Sequence, residues 1–576
     1  MAFKKTKRLW LVNFALTFVG KKQLKRVNKV AKDCKKAAGQ TLRAILNYAK
    51  DTEWGKAHNF ARVLQAATDE ELYARWQENV PPSEYEDYRP FVERHKHGEQ
   101  NILFPGKPKM YATTSGTTNE PKWIPVTNEY YDNVYSKMTH LWLYTFLLRR
   151  PDSTEGPTVS IVGKAIEGYA PDGTVYGSVS GVTRRDIPKF LSHIHSAPAE
   201  VFDISDYTAR YYTIMRIAIE QNVHIIITAN PSTIVEMQNN VNRFFDSYVK
   251  DIETGTLNAD LKIPDSIRAA LAPRFKPNPE RARELKELKA KYTNVLPKHY
   301  WPQMRILTTW KLGNVKIYME KFKDSFPSDM CYQEFSYFSS ECRTGLVLDE
   351  SDSTVLFPHF HYFEFVEESE VGTSERHFKQ IFELEKGKRY SIFITTFAGL
   401  YRYDMNDLIT VTGFYGTIPK IEFVQKINGI VSMTGEKLHE RQFIEAVEDA
   451  QKTTGMKTRF FVGFAVLSES RYYFYYEFDS ADVTKSQAAK FNSEVDAALK
   501  KVNIEYEAKR DSFRVKDPAV RILTQDSFES FKKACLEKGF RDGQFKLNLL
   551  MQDETRRAIF NTLVRSDSDK QPQSVL

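Results

Sequence analysis

The chain has 576 residues, with 82 Lys and Arg against 74 Asp and Glu, 41% hydrophobic and 13% aromatic. That length exceeds what one hydrophobic core supports, so at least two domains are expected, and the apolar content argues against a disordered chain. The net charge of +8 conceals an asymmetry: residues 1–50 hold 14 Lys and Arg and one acid, Asp33, a local +13, so the remaining residues sum to about −5, which argues against a nucleic-acid enzyme with a positive ligand groove.

The basic arm starts with an apolar run, Leu9 to Val19, between Lys4, Lys5, Lys7 and Arg8 on one side and Lys21, Lys22, Lys25 and Arg26 on the other. It lacks a small-x-small cleavage site, is too short to span a bilayer and runs straight into a basic cluster, so it is read neither as a signal peptide nor as a span. Leu24, Val27, Ala31, Cys34, Ala38, Leu42 and Ile45 then recur at threes and fours, which predicts one amphipathic helix with a lysine-rich outer face. Two readings stay open. Both elements pack on the protein's own surface, or the arm touches an anionic membrane face. Cys34, Cys331, Cys342 and Cys535 are widely spaced and form no CxxC pair, which points to a reducing compartment and no metal-thiolate site.

Thr113 to Lys122 reads TTSGTTNEPK. The hydroxyls of Thr114, Ser115, Thr117 and Thr118, with backbone amides freed by Gly116, can surround a polyphosphate while Lys122 supplies a point charge. It is not a Walker loop, because Pro121 and Trp123 flank the lysine. An ordinary polar loop is the alternative.

From Pro157 to about Val424 short apolar strands (Thr158–Val162, Val223–Thr228, Arg305–Thr309) alternate with helices (Tyr207–Gln221, Thr233–Lys250) that follow a helix at Tyr130–Leu148, an α/β pattern. Residues 264–300 read as an exposed, charged helical insertion. A buried strand, Cys331 to Phe338, leads into Tyr337-Phe338-Ser339-Ser340-Glu341, placing an aromatic, two hydroxyls and a carboxylate at a strand end, where open α/β sheets bind ligands. A second strand, Tyr390 to Phe397, precedes Gly399 to Asp407 (GLYRYDMND), and Asp407 can accept hydrogen bonds from both ribose hydroxyls. His359 and His361 share a strand face, as do His193 and His195 if that segment is extended. No third ligand supports zinc, so packing or substrate lining is favoured. Phe357, Phe360, Phe363 and Phe365 read as core of a half-buried strand. Near Gln425 to Lys437 the style changes to a compact α+β unit: a hairpin (Arg459–Phe478), a helix (Gln487–Val502), a strand (Phe513–Leu523) and a helix (Ser527–Lys538).

The order of these segments, a hydroxyl and lysine loop, an aromatic-S-S-E turn, then Y-R followed five residues later by Asp, resembles the acyl-adenylate-forming (firefly luciferase-like) superfamily. Within it the chain resembles the auxin-responsive acyl-acid amido synthetases, through Pro81 to Gly98, the loop at 113–122, YFSSE, Tyr362-Phe363-Glu364-Phe365, GLYRYDMND with GFYGTIPKIEF, NIEYEAKR from Asn503, and GQFK at 543–546. The chain departs from the pattern at Asn119 and Glu120, where a glycine is usual, at Asp404 and Asn406, and at Leu547 and Asn548.

The resemblance implies an α/β fold: a large N-terminal adenylate-forming domain with mixed sheets flanked by helices, and a small α+β lid. Residues 1–50 would be helices packing on the large domain, 51–425 the ATP and acyl-acid domain, and 426–576 the mobile lid. It implies an enzyme that activates a carboxylic acid as acyl-AMP, releasing pyrophosphate, and passes the acyl group to an amino acid or other amine. A thiol ligase making acyl-CoA would share the nucleotide motifs, and a non-catalytic binding protein is the third reading. ATP and Mg²⁺ are the implied cofactors, and a cytoplasmic monomer that binds no nucleic acid is expected. Thr114, Ser115, Gly116, Thr117, Thr118 and Lys122 would hold phosphates, with Glu341 on Mg²⁺. Tyr337, Ser339, Ser340 and Gly313 would line the nucleotide, and Asp407 would take the ribose. Lys426 stands where the family has arginine, which keeps the charge and loses a bidentate contact. Lys437 and Lys546 are the candidates to neutralise the transition state.

Overall fold

The structure, a computed structural model, describes residues 9–114, 122–187, 194–312, 319–320, 322–371, 373, 376–427, 430–431, 433, 436, 438–511, 515–537 and 548–566. It divides into a larger unit, Met1–Met405 with Ile409–Val424, and a smaller one, Asn406–Leu408 with Gln425–Leu576.

In place of one amphipathic helix across residues 24–45 the chain forms two, Leu9–Val30 and Cys34–Ala49. The hydrophobic period hides the break, since Val27, Ala31, Cys34, Ala38, Leu42 and Ile45 are all buried. Asp33 makes it, accepting from Lys36 N at 2.9 Å as an N-cap. A hairpin tip fixes the corner: Cys34 N donates to Thr417 Oγ1 at 2.9 Å, and Thr417 N to Ala31 O at 2.8 Å. Gly416, at φ +61°, lies so close to Ala31 that an added Cβ would sit 2.2 Å from its carbonyl oxygen, so both backbone angle and space demand glycine. The second helix buries its apolar face beside the Tyr362–Glu367 strand. The first packs along Ser136–Arg149, where a Cβ on Gly20 would meet the Tyr144 ring at 2.2 Å.

Four parallel strands, Thr158–Ser160, Ile225–Ile227, Ile306–Thr309 and Cys331–Glu334, form one sheet in that order. The unbroken apolar run of Ile225–Ile227, in the interior of the sheet, suits a parallel sheet buried on both faces. The helix expected over 130–148 is interrupted, with Tyr131–Tyr135 forming a π-turn between Asn128–Tyr130 and Ser136–Arg149. The one expected over 233–250 is two, Ser232–Arg243 and Phe245–Thr254, because Phe244 leaves helical geometry (φ −110°, ψ 20°) and packs edge-on to Tyr212. In the 264–300 insertion the helices Asp265–Leu271 and Pro279–Lys291 bury little beyond Leu271, Ala282 and Leu285.

Among the described residues a seven-stranded sheet runs in the order Lys379–Gln380, Tyr362–Glu367, Arg389–Thr395, Tyr403–Tyr415, Ile418–Lys426, Thr354–Leu356, Gly345–Leu346. Two expectations change here. His359 and His361 precede the strand, in the turn at 358–361, so they do not share a strand face. Tyr362–Glu367 is covered on both faces, with Tyr362, Phe363, Glu364 and Phe365 all buried, so its aromatics are core without being a half-buried pattern.

The smaller unit is α+β. Its sheet pairs Lys516–Ile522, Arg471–Phe478, Thr458–Val466 and Leu550–Met551 in that order, with helices Glu440–Thr454, Lys485–Val502, Ser527–Glu537 and Glu554–Asn561. Phe443, Phe461, Phe474, Phe491 and Phe560 fill its core.

Candidate active site

Met110–Thr114 and Lys122–Val126 form a hairpin whose last pair sets Thr114 opposite Lys122, so the hydroxyl-rich segment between them is closed at its neck. Ser115, Gly116, Thr117 and Thr118 lie outside the described residues. Lys122 Nζ donates to Tyr403 Oη at 3.3 Å and sits 5.6 and 5.9 Å from the ring centroids of Tyr85 and Tyr403. Tyr85 anchors the neck, its hydroxyl accepting from Trp123 N at 2.6 Å. Burial, with a further contribution from Glu341, holds the Tyr403 phenol well above its usual range, so it stays neutral and can accept from Lys122. Glu341 therefore shares the Tyr403 environment, yet it makes no hydrogen bond or ion pair with another described residue.

The strand before YFSSE ends at Glu334, four residues earlier than its sequence suggests, because Ser336 turns the chain at φ +78°. Trp310 Nε1 donates to Ser336 O at 3.3 Å and Ser336 Oγ accepts from Val347 N at 3.0 Å. Tyr337 is held through its amide, donating to Thr354 Oγ1 at 2.9 Å, and its ring stacks on Phe423 with centroids 6.3 Å apart. Ser339 builds the turn itself: its hydroxyl accepts from Cys342 N at 3.3 Å and its amide donates to Cys342 O at 3.0 Å. Ser340 is half-buried beside it. Beneath, the Arg343 guanidinium lies 4.8 to 5.7 Å from the rings of Trp142, Phe338 and Tyr135, a rigid floor for the turn. Gly313 lies outside the described residues. Its neighbour Lys311 is fixed, Nζ on Asp352 at 2.6 Å and backbone N donating to Glu334 at 2.6 Å. Burial pushes the Glu334 carboxyl up to about 8.

The GLYRYDMND segment divides by role. Arg402, at φ +46° and buried, reaches Glu364 at 3.0 Å and Val80 O at 2.7 Å, while Glu364 also accepts from Trp76 Nε1 and Gln77 Nε2 at 3.0 Å each. Asp407 is not at a strand end: it lies inside Tyr403–Tyr415, because the turn that follows Arg389–Thr395 is complete by Arg402. Asn406 beside it adopts φ +53°, which asparagine tolerates. The buried Asp407 carboxylate pairs with Lys426 Nζ at 2.6 Å, so two residues singled out 19 positions apart meet each other. Lys437 and Lys546 lie outside the described residues. Glu436, next to Lys437, is buried and accepts from Met433 N at 2.8 Å and from the Tyr472 hydroxyl.

Sequence reasoning missed Tyr403 and Tyr85 as site residues, although both stand in the runs that carry the family resemblance. It also missed the pairing of Ser160 Oγ with His195 Nδ1, 3.1 Å apart at the carboxyl end of a parallel strand. Burial depresses His195 to about 3, so the ring is neutral. His193 lies outside the described residues. His359 and His361 are buried and held at about 3 and about 4 by desolvation, and His361 Nε2 contacts Arg343 O at 2.9 Å. Among the described residues no group of three or more His, Cys, Asp or Glu is arranged to hold a metal.

Comparison with known proteins covers nearly the whole chain. Residues 23–331 match the GH3 family N-terminal domain, 354–426 its central domain and 441–555 its C-terminal domain. Among curated relatives, a 4-substituted benzoates-glutamate ligase of Arabidopsis thaliana is 24% identical over 85% of this chain and 89% of its own. An indole-3-acetic acid-amido synthetase of the same plant is 24% identical over 91% of each. Among solved structures, an acyl acid amido synthetase superimposes with a TM-score of 0.81 at 21% identity, covering 94% of this chain and 96% of that one.

Proposed function

The chain belongs to the GH3 family, and on that premise we propose that it is an ATP-dependent acyl-acid amido synthetase, activating a carboxylic acid as acyl-AMP and passing the acyl group to an amino acid or related amine. A carboxylate resists amines because its oxygen is a poor leaving group; joining it to AMP makes a mixed anhydride that an amine can open. The substrate carboxylate attacks the α-phosphorus and pyrophosphate leaves, a step that needs charge on the phosphates and in-line positioning more than proton transfer.

The observation that carries this reading is the convergence of Lys122, Tyr403 and Glu341 from three separate elements. Lys122, held at the hairpin neck, faces the phosphates with Thr114, Ser115, Gly116, Thr117 and Thr118. Glu341, a carboxylate without a partner among the described residues, suits a hard cation that takes one protein oxygen and completes its shell with phosphate and water. Mg²⁺ there would neutralise charge developing on the leaving pyrophosphate. Tyr337, Ser340 and the Gly313 loop border the adenosine, with Ser339 shaping the turn. Asp407 accepts from the ribose hydroxyls while Lys426 keeps its carboxylate oriented. Lys437 and Lys546 supply positive charge to the pentavalent phosphorus. That none of the four cysteines is in a disulfide is consistent with a cytoplasmic setting.

The relatives differ in the acid they are named for, so acid and amine are best found together, by following pyrophosphate release across a panel of carboxylic acids with amino acids or CoA added separately. Acid-dependent release, with amide appearing when an amino acid is present, is the expected result. Release that yields product only with CoA would make the enzyme a thiol ligase, and no acid-dependent release would overturn the proposal.

A further inference from the structure

The two N-terminal helices differ in how they treat their apolar residues. The second buries them. The first buries one side, Gly20 and Val27, with Leu24 partly covered, and leaves Phe14 and Phe18 on the other side 67% and 68% exposed. Single exposed apolar residues are ordinary on protein surfaces, but two phenylalanines one turn apart on a helix are not scattered singly. At 100° per residue, positions 14, 18, 21, 22, 25 and 29 fall within one sector of about 100°. That sector therefore carries Phe14 and Phe18 followed by Lys21, Lys22, Lys25 and Lys29, and all six are exposed. None of the four lysines makes an ion pair or side-chain hydrogen bond with another described residue. Asp33, the one acid among the first fifty residues, is occupied as the cap of the second helix.

The support beneath this stripe is rigid. Gly20 lies against Tyr144, while Lys137 feels the charge of Arg26 and Lys22, so the helix runs antiparallel to Ser136–Arg149. Leu148, one turn beyond Tyr144 and 51% exposed, sits toward the phenylalanine end of the pair. Arg26, off the stripe, is tied down over the Phe360 ring at 5.0 Å.

We propose that the exposed stripe of the first helix is a docking surface for an anionic phospholipid bilayer, with Phe14 and Phe18 inserted at the headgroup level and Lys21, Lys22, Lys25 and Lys29 on the lipid phosphates. Charge complementarity selects this occupant. Aromatic rings favour the membrane interface, lysines snorkel to its anionic surface, and an acid-free helix face would pay no like-charge penalty there. A second copy of the same face would instead oppose lysine to lysine. Neither signal suffices alone, since reversible attachment takes an apolar anchor together with a polybasic patch. The proposal is independent of the reaction the protein catalyses.

The test is co-sedimentation of the full chain with vesicles of phosphatidylcholine alone and of phosphatidylcholine containing about a quarter phosphatidylserine. Binding is expected to the second and to weaken steeply with salt. Phe14→Ser with Phe18→Ser should lower the partition coefficient about tenfold or more. Lys21→Gln, Lys22→Gln, Lys25→Gln and Lys29→Gln together should lower it about 10²-fold or more, since each adjacent lysine contributes roughly fivefold. Thermal melting of each variant confirms that the fold is kept. No binding by the parent chain would overturn the proposal, as would binding that survives both sets of substitutions. Dimerisation lost on Phe14→Ser with Phe18→Ser, without vesicle binding, would assign the stripe to a second copy and also overturn it.

Discussion

Arg402 and Lys122 are both cations beside a buried aromatic in the larger unit, and both belong to runs that mark the family, yet their surroundings are opposite. Arg402 is enclosed, with Glu364, the Val80 carbonyl and the Phe378 ring taking up its guanidinium, and Glu364 is in turn held by Trp76 and Gln77. Lys122 has one long hydrogen bond, to Tyr403, and Glu341, whose charge acts on the same Tyr403, is left without a described partner. A buried, paired polar knot specifies where strands sit; a sparsely satisfied one keeps charge available for a ligand. Adjacent residues of one motif, Arg402 and Tyr403, fall on either side of that divide.

The largest effect that would break this contrast belongs to the knot. Arg402→Met should cost about 3–5 kcal/mol in denaturant unfolding, because Glu364 is left as an uncompensated buried charge, and adding Glu364→Gln should recover part of it. If stability held while acid-dependent pyrophosphate release vanished, Arg402 would belong to the site. Lys122→Ala should do the reverse, lowering pyrophosphate release about 10²-fold or more with unfolding free energy changed by about 1 kcal/mol or less.

Glu334 sharpens the comparison from between, being a carboxyl as buried as Glu364 but with no arginine on it. Its folded-state pKa, raised to about 8, lies above the unfolded value, so its stability is full below the ordinary glutamate range and is lost as pH climbs toward 8. Glu334→Gln should therefore come close to the parent near about pH 5 and exceed it by about 4 kcal/mol near about pH 8 in urea titrations. A pH-independent difference would mean that the folded protein carries Glu334 ionised. The smallest effect expected is at Glu341→Gln, where pyrophosphate release falls about tenfold and rises again as Mg²⁺ is increased. Identical Mg²⁺ dependence in the two proteins would remove Glu341 from the metal.

Much of the fold was legible because apolar runs such as Ile225–Ile227 and the aromatic hairpin at 458–478 admit few other readings. Boundaries were not, where a cap or a turn acts inside an unbroken pattern. Asp33 splits a continuous hydrophobic period, Phe244 ends a helix without proline or glycine, and Ser336 cuts a strand short through backbone geometry alone. In the candidate site, Lys122 and Glu341 stand out in the sequence because their residue types announce charge chemistry. Tyr403 was not, since a tyrosine in an aromatic-rich chain reads as core until a lysine is seen on its hydroxyl. Ser339 shows the converse, a hydroxyl that composition offers to a ligand and that the turn uses for itself.

The π-turn at Tyr131–Tyr135 bears on how the helix after it is phased. It places one more residue in the turn than an α-helix would hold, and everything from Ser136 onward is phased from that surplus residue. Phasing the helix without that surplus residue would rotate its assigned inward face by about 100° and trade the buried Met138 for a half-buried neighbour, Lys137 or Thr139. The π-turn therefore sets which side of Ser136–Arg149 faces inward, and with it the seat on which Leu9–Val30 packs.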